Sequence, residues 1–385
     1  MKCLFVHDHI YLGEKGRVYS NTFSYETLKR YVDIFGEVTV VARYRETKGL
    51  DIPEAGGIGV SFIFLKSISS AGSFFGLRQQ YQKRIEKLIE EHQAVIVRLP
   101  SEFGLLTTKI AHKKQRRYLA EVVGCGWDAM WYYGGWQSKI YAPFLFGKMR
   151  SAVKKANYIN YVTERFLQNR YPAAKDAKTI SISDIILPAV NGSILTKRIE
   201  KTGSRIVLGT IANIDMKYKG IDIAIKALAH LDLEGIKIEY RVLGDGDPTP
   251  YELLTRSLDL EDSIYFDGVL YDESAILDWL DGIDAYLQPS LTEGMPRSLV
   301  EAMSRGCPAI GSSAGGIPEL LDSDMIFPKG DYLQLAQKIS VLIPDRRAMS
   351  VAAVDNFQRA KRYRKEIIEP KRQRFLAEYR DEVSQ

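Results

Sequence analysis

Pro289-Ser290-Leu291-Thr292-Glu293-Gly294-Met295-Pro296-Arg297-Ser298-Leu299-Val300-Glu301-Ala302-Met303-Ser304-Arg305-Gly306-Cys307-Pro308 has the pattern of a short polar loop that opens a helix. Ahead of it, Ala285-Tyr286-Leu287-Gln288 has strand composition and stops at Pro289. A helix is predicted from about Pro296, where proline's missing N–H costs nothing, to Gly306 as its stop. Strand, polar loop and helix make one α/β unit. In an open α/β sheet such a loop lies at the carboxyl end of the strands, where ligands bind, and the helix it opens offers unpaired N–H groups and a positive dipole end to an anion. Glu293 precedes that helix and Glu301 sits on its second turn. Two carboxylates beside a phosphate would repel it, so both are read as facing sugar hydroxyls, for which a carboxylate is a strong acceptor. A nucleotide-sugar, anionic in the middle with a ribose on one side and a second sugar on the other, fits that arrangement.

Glu293-Gly294-Met295-Pro296, Glu301-Ala302-Met303, Gly306, Pro308 and then Gly315-Gly316-Ile317-Pro318-Glu319 together resemble the donor-site signature of the retaining family 4 glycosyltransferases of the GT-B fold. The resemblance implies two Rossmann-like β/α/β domains facing each other across a cleft, an acceptor-binding domain over 1–187 and a donor-binding domain over 205–349. A linker is expected over 188–204, and a C-terminal helix, about 350–385, is expected to cross back onto the first domain. By the same resemblance Glu293 orients the donor sugar, Glu301 holds the ribose, and the amides of Gly294 and Met295, just before Pro296, meet the diphosphate. Similar enzymes of surface-polysaccharide assembly carry Glu-Val-Val-Gly followed by Trp-Asp, matched here at Glu121 and at Trp127-Asp128, which are expected to contact the acceptor. Many relatives place a donor-contacting histidine nearby, and this loop has none.

The chain has 385 residues, 45% hydrophobic and 26% charged, which suits two soluble globular domains. No apolar run approaches the length of about 18–20 residues that spans a bilayer, and the opening Met-Lys-Cys-Leu-Phe-Val reads as a buried strand, so a cytoplasmic protein is expected. Cys3, Cys125 and Cys307 are far apart and lack ligand spacing, which argues against disulfides and zinc. Cys3 and Cys307 read as core residues and Cys125 as a loop residue. The net charge of +5 is unevenly placed. Residues 1–188 hold 28 Lys and Arg against 17 Asp and Glu, residues 189–345 hold 14 against 25, and residues 346–385 hold 11 against 6. A basic first half favours an anionic membrane face and a lipid-linked or glycan acceptor. Nucleic acid is disfavoured because the cations are dispersed and no nucleic-acid-binding motif accompanies them.

In chain order, residues 1–6 read as a strand ending at His7-Asp8-His9 and a loop carrying Gly13, Lys15 and Gly16, either turn residues or part of the donor site. His7 and His9 point the same way and are read as ligand-facing or satisfied rather than metal-binding. The helix from Gly104 to about Lys114 carries Lys109, Lys113, Lys114, Arg116 and Arg117, a solvated face or a contact with lipid phosphates. Trp131, Tyr132, Tyr133 and Trp136 form an aromatic cluster for packing or acceptor stacking. The second domain opens with Arg205 to Ala212 and a loop to Lys219-Gly220, which resembles the family's Lys-Gly phosphate clamp. Asn213 stands where relatives have arginine, and Lys217 is a substitute cation. Gly244, in the turn after Glu239 to Leu243, and Val269, after Gly268, are expected near the nucleotide, Val269 meeting the base through backbone atoms. No cofactor and no essential metal are expected, the nucleotide-sugar being a co-substrate. A different GT-B outcome, such as a sugar-nucleotide epimerase or phosphorylase, and a non-catalytic GT-B subunit that binds nucleotide-sugar or polyanion are the competing readings.

Overall fold

The computed structural model describes every residue except 67–73, 134, 188–191, 201–204, 232 and 234, so part of the stretch read as a linker lies outside the described residues. In the first half the strands are β1 (Lys2–Glu14), β2 (Arg17–Tyr19), β3 (Glu37–Glu46), β4 (Val60–Phe64), β5 (Ala94–Leu99), β6 (Leu119–Val122), β7 (Tyr158–Tyr161) and β8 (Lys178–Ser181). They align as β4-β3-β1-β5-β6-β7-β8, all parallel, with β2 folded back antiparallel on the end of β1. In the second half β9 (Arg205–Ile211), β10 (Lys237–Leu243), β11 (Ile264–Gly268), β12 (Ala285–Gln288), β13 (Ala309–Ser312) and β14 (Ile326–Phe327) form a parallel sheet in the order β11-β10-β9-β12-β13-β14. Both sheets are doubly wound. Strand order reverses between β1 and β5 in one and between β9 and β12 in the other, and a crevice opens at the carboxyl ends of those strands.

Apolar pattern explains the layers. β12, Ala-Tyr-Leu-Gln, is buried along its whole length, as a parallel strand covered on both faces must be. The helix Ile221–Leu228 buries six of its eight residues, Ile221, Ile223, Ala224, Ile225, Ala227 and Leu228, each of the larger ones contributing roughly 1.5–3 kcal/mol. The helix Arg297–Ser304 turns Leu299, Val300, Ala302 and Met303 inward. Pro296 takes its N-cap position, and Gly306, at φ +63°, closes its far end by donating to Met303 O at 2.9 Å.

The structure corrects several boundaries. β1 does not stop at His7: it continues to Glu14, because His7, His9 and Tyr11 alternate onto one face and pack around the Phe23 ring. Gly13, Lys15 and Gly16 therefore belong to a β-hairpin, with Lys15 and Gly16 at φ +51° and +78° in its two-residue turn. Trp127 and Asp128 lie on the helix Gly126–Tyr133 rather than on a loop, and Cys125 before them is buried, 3.3 Å from the Tyr171 hydroxyl. The stretch 188–204 contains the helix Ser193–Glu200, anchored to the second domain by Arg198, which donates to the carbonyls of Leu280, Ile283 and Arg305.

The tail divides between the domains. The helix Arg346–Ala360 packs on the helix Arg297–Ser304, whereas the helix Lys365–Val383 packs on the first domain. There the Tyr379 hydroxyl both accepts from Val95 N and donates to Val95 O, each at 2.9 Å. The crossings between the domains near Leu187 and Tyr363 are paired: Leu187 N donates to Tyr363 O at 2.9 Å. No described helix is long and apolar enough to cross a membrane.

Candidate active site

The crevice of the second sheet is built from two loops locked together. After β9 the chain runs through Asn213 and the short turn Lys217–Lys219 to Gly220, and after β12 it runs through Pro289 to Pro296. Leu291 N donates to Tyr218 O at 2.7 Å. Gly220, at φ +74°, lies so close to Pro289 that a Cβ there would fall 2.1 Å from Pro289 O, so only glycine fits.

This lock brings Lys219 to Glu293, with Nζ 2.7 Å from Oε1. The same oxygen accepts from Ser290 Oγ at 2.8 Å and from Gln288 Nε2 at 3.2 Å. Oε2 has no partner among the described residues. Burial alone would lower the Lys219 ammonium, but the Glu293 carboxylate, by charge and hydrogen bond, outweighs it and holds Lys219 above its ordinary value. Lys219 is thus a fixed cation at the crevice.

The next residues are positioned from both sides. Gly315 and Gly316 pass beneath the loop, where a Cβ would meet Glu293 O at 2.0 Å and Gly294 O at 2.6 Å respectively, and Gly316 N donates to Gly294 O at 2.8 Å. Gly294 in turn faces the first domain, its missing Cβ 2.2 Å from Val123 O at the end of β6. The amides of Gly294 and Met295 have no acceptor among the described residues, and they precede a helix N-terminus. Free N–H groups at a helix N-terminus are the kind of donor an anion can accept.

Glu301 is half-buried on the following helix, with Arg297 as a loose partner at 3.9 Å. Burial raises its carboxyl above the ordinary range, Arg297 partly opposes that, and Glu273 adds to it. Glu273 opens the helix that follows Val269, so the Val269 loop and Glu301 share one end of the crevice. Gly244 lies a layer lower: a Cβ there would strike Ala212 O at 1.7 Å, so its role is to let the ends of β9 and β10 meet. Asn213 and Lys217 are exposed on the loop.

The first-domain residues divide differently. Helix Gly126–Tyr133 lies against the Lys217–Lys219 turn, and its half-buried Trp127 packs on the first domain's core, edge-on to Phe146 and stacked on Trp131 with ring centroids 5.6 Å apart. Asp128 is buried in an ion pair with Arg170 at 2.9 Å. Glu121 is buried too, accepting from the Tyr31 hydroxyl at 2.7 Å and from Arg98 at 3.1 Å. Neither carboxylate is presented to the cleft. Among the described residues, no hydrogen bond or ion pair joins Gly13, Lys15 or Gly16 to the Glu293 cluster. His9 donates to or accepts from Ser20 Oγ at 2.8 Å and His7 meets the Tyr11 hydroxyl at 3.3 Å, which satisfies both rings.

Residues 205–345 match the family described as glycosyl transferases group 1. Over 382 residues, 99% of this chain and 96% of the relative, the sequence is 30% identical to protein CapJ of Staphylococcus aureus. The chain belongs to the group 1 glycosyltransferases. The colanic acid biosynthesis glycosyltransferase WcaL of Escherichia coli is 35% identical over 135 residues, 32% of each chain. The fold is GT-B: the Anabaena protein HepE, solved in complex with UDP, superposes with a TM-score of 0.66 at 17% identity, covering 98% of this chain and all of HepE.

Three side chains that shape the crevice of this glycosyltransferase escaped the sequence reading. Gln288 and Ser290 orient Glu293, and a polar residue closing the otherwise apolar strand Ala-Tyr-Leu-Gln was the available signal. Glu319, read only as part of the Gly-Gly-Ile-Pro-Glu motif, reaches across to the first domain. Its carboxylate accepts from the backbone N–H groups of Glu164 at 2.5 Å, Arg165 at 3.0 Å and Phe166 at 2.7 Å.

Proposed function

We propose that this glycosyltransferase moves a sugar from a nucleoside-diphosphate sugar to a glycan or lipid-linked acceptor, with retention at the anomeric carbon and without an essential metal, in the assembly of a cell-surface polysaccharide. The observation that carries the reading is the meeting of Lys219 and Glu293 at the point where strand order reverses, beside the unpartnered amides of Gly294 and Met295. Lys219, with Lys217 on the same loop, stabilises charge as it moves onto the diphosphate. Glu293 orients the sugar hydroxyls through Oε2, Glu301 accepts from the ribose hydroxyls, and the backbone at Val269 meets the base. Trp127 stacks on the acceptor sugar.

In the transfer, the bond from the anomeric carbon to the diphosphate oxygen breaks and a bond to the acceptor oxygen forms on the same face. The acceptor's proton passes to the departing phosphate, so no second carboxylate has to sit close to Glu293. Likeness to CapJ along the whole chain and to WcaL over part of it supports a role in polysaccharide assembly, and the basic first half supports an acceptor held at an anionic membrane on its cytoplasmic side.

The test is turnover of purified protein on nucleotide-sugars in EDTA, followed by proton NMR of the anomeric centre. Slow donor hydrolysis or transfer with retained configuration, lost in Glu293→Gln, is the expected result. An inverted product would refute retention, and full activity of the variant would refute the site.

A further inference from the structure

The helix Trp136–Lys154 carries Trp136, Ile140 and Phe144 four residues apart, and they are 70%, 59% and 63% exposed. Side chains at that spacing share one face of a helix. Three large apolar side chains in one exposed row exceed what a surface helix ordinarily shows, and such a patch marks an interaction site. At the row's cleft end Trp131, 40% exposed, extends it, with the Lys139 ammonium 5.7 Å from its ring centroid.

The row's own helix carries charge of one sign. Residues 136–155 hold Lys139, Lys148, Arg150, Lys154 and Lys155 and no Asp or Glu. The neighbouring helix Glu102–Lys113 and the strand approach after it hold five more cations and, from 103 to 120, no carboxylate. Between the two helices lies a groove of about 1060 Å³ whose walls include Leu105, Leu106, Met130 and Leu145. Lys109, Lys148 and Lys155 also line it and are exposed, together with two half-buried carboxylates that are already engaged, Asp8 with Arg43 and Glu102 with the Tyr141 hydroxyl.

We propose that this helix pair is the surface by which the glycosyltransferase lies on an anionic lipid bilayer. Trp136, Ile140 and Phe144 enter the boundary between headgroups and acyl chains, the flanking lysines meet lipid phosphates, and the groove receives hydrocarbon from the lipid layer. An apolar row bordered by cations on both sides is the pattern an interfacial helix requires, and a protein partner would need neither the excess of exposed cations nor the apolar groove. The geometry also places the cleft. Trp136 follows the helix Gly126–Tyr133, which lies against the Lys217–Lys219 turn, so the Trp136 end of the row is the one nearer the donor crevice. The surface thus gives a physical basis to the membrane-held acceptor of the proposed function, and it rests on that reading only for its purpose.

The test is co-sedimentation of the full chain with phosphatidylcholine vesicles and with vesicles holding about 30% phosphatidylglycerol. Binding to the anionic vesicles, weakened by salt, is expected. The double variant Ile140→Ser, Phe144→Ser is expected to bind them about tenfold more weakly, and Lys139→Glu with Lys154→Glu is expected to bind more weakly still at low salt. Both should keep the wild-type melting temperature and nucleotide affinity, because these side chains are exposed. Failure of the wild type to bind anionic vesicles, or equal binding by the double variant, overturns the proposal. So does self-association in vesicle-free solution that the double variant abolishes, which would assign the row to contact between copies. Nucleotide affinity measured without vesicles keeps a failure of this surface distinct from a failure of the donor site.

Discussion

Lys219 and Glu293 neutralise each other at the crevice, and the sign of that pairing is measurable. Replacing the carboxylate by an amide leaves the ammonium to an incoming diphosphate alone. Glu293→Gln is therefore expected to bind the nucleoside diphosphate as well as wild type or up to about tenfold more tightly, while transfer falls by roughly 100-fold or more because the sugar is no longer held for reaction. Calorimetry alongside turnover separates these effects, and parallel loss of both would make Glu293 a merely structural partner of Lys219. Glu301 gives a second prediction. Burial raises its carboxyl, so in the protein alone it takes up a proton at higher pH than an ordinary glutamate and its ionisation costs stability as pH rises. Ribose hydroxyls donate to the ionised form. Nucleotide affinity should accordingly fall as pH drops through that raised value, with proton release on binding detectable in buffers of different ionisation heat and absent in Glu301→Gln. Both glutamates were legible in the sequence because glycines and prolines fix their spacing within thirty residues of chain. Glu121 was not, because its partners Tyr31 and Arg98 come from elsewhere in the fold, 90 and 23 residues away in sequence.

Elements were legible where apolar pattern sets them and misread where polar residues face inward. β1 looks finished at His-Asp-His, yet His7 and His9 continue it because burial among aromatic rings keeps them uncharged, His9 falling to about 4. An unfolded histidine takes a proton near pH 6.5, so the first domain should lose stability as pH falls from about 6.5 toward 4. Melting temperature measured against pH would record the slope, and His9→Gln should flatten part of it. An unchanged slope in that variant would place the acid sensitivity elsewhere. The loop from Glu293 to Met295 carries its own test. A methyl group at Gly294 would sit 2.2 Å from Val123 O, so Gly294→Ala has to displace either the loop or the first domain. Turnover should drop at least about tenfold, since a shift of an ångström at a positioned group costs that much or more, while the melting temperature moves little. The segment 188–204 read as a linker from its composition, and its helix exists because Arg198 finds three carbonyls that only the folded second domain brings together.

At the scale of the molecule, the two domains meet through specific contacts. The crossings at Leu187 and Tyr363 run side by side as a hinge, Glu319 holds three backbone amides of the first domain, and the Lys329 ammonium sits 4.7 Å from the Tyr132 ring centroid. Charge-assisted bonds are worth roughly 1.5–3 kcal/mol each when desolvated, and the Glu319 bonds to the exposed Glu164 and Arg165 amides contribute less than that. Glu319→Ala should widen the cleft, seen as a larger radius of gyration by small-angle scattering and a raised KM for donor. An unchanged radius would show that the other contacts suffice. The two-domain architecture was legible because each half repeats strand, loop and helix, but how the halves dock was not, since docking depends on side chains such as Glu319 that meet backbone far away in sequence. The proposed metal-independent nucleotide site rests on Lys219 and the loop after β12. Its most direct test is calorimetric titration of UDP, GDP and ADP in EDTA with wild type and Lys219→Ala. Selective binding of one nucleotide, weakened about tenfold or more in the variant, is the predicted result. Binding that needs a divalent metal, or that is indifferent to Lys219, would contradict it.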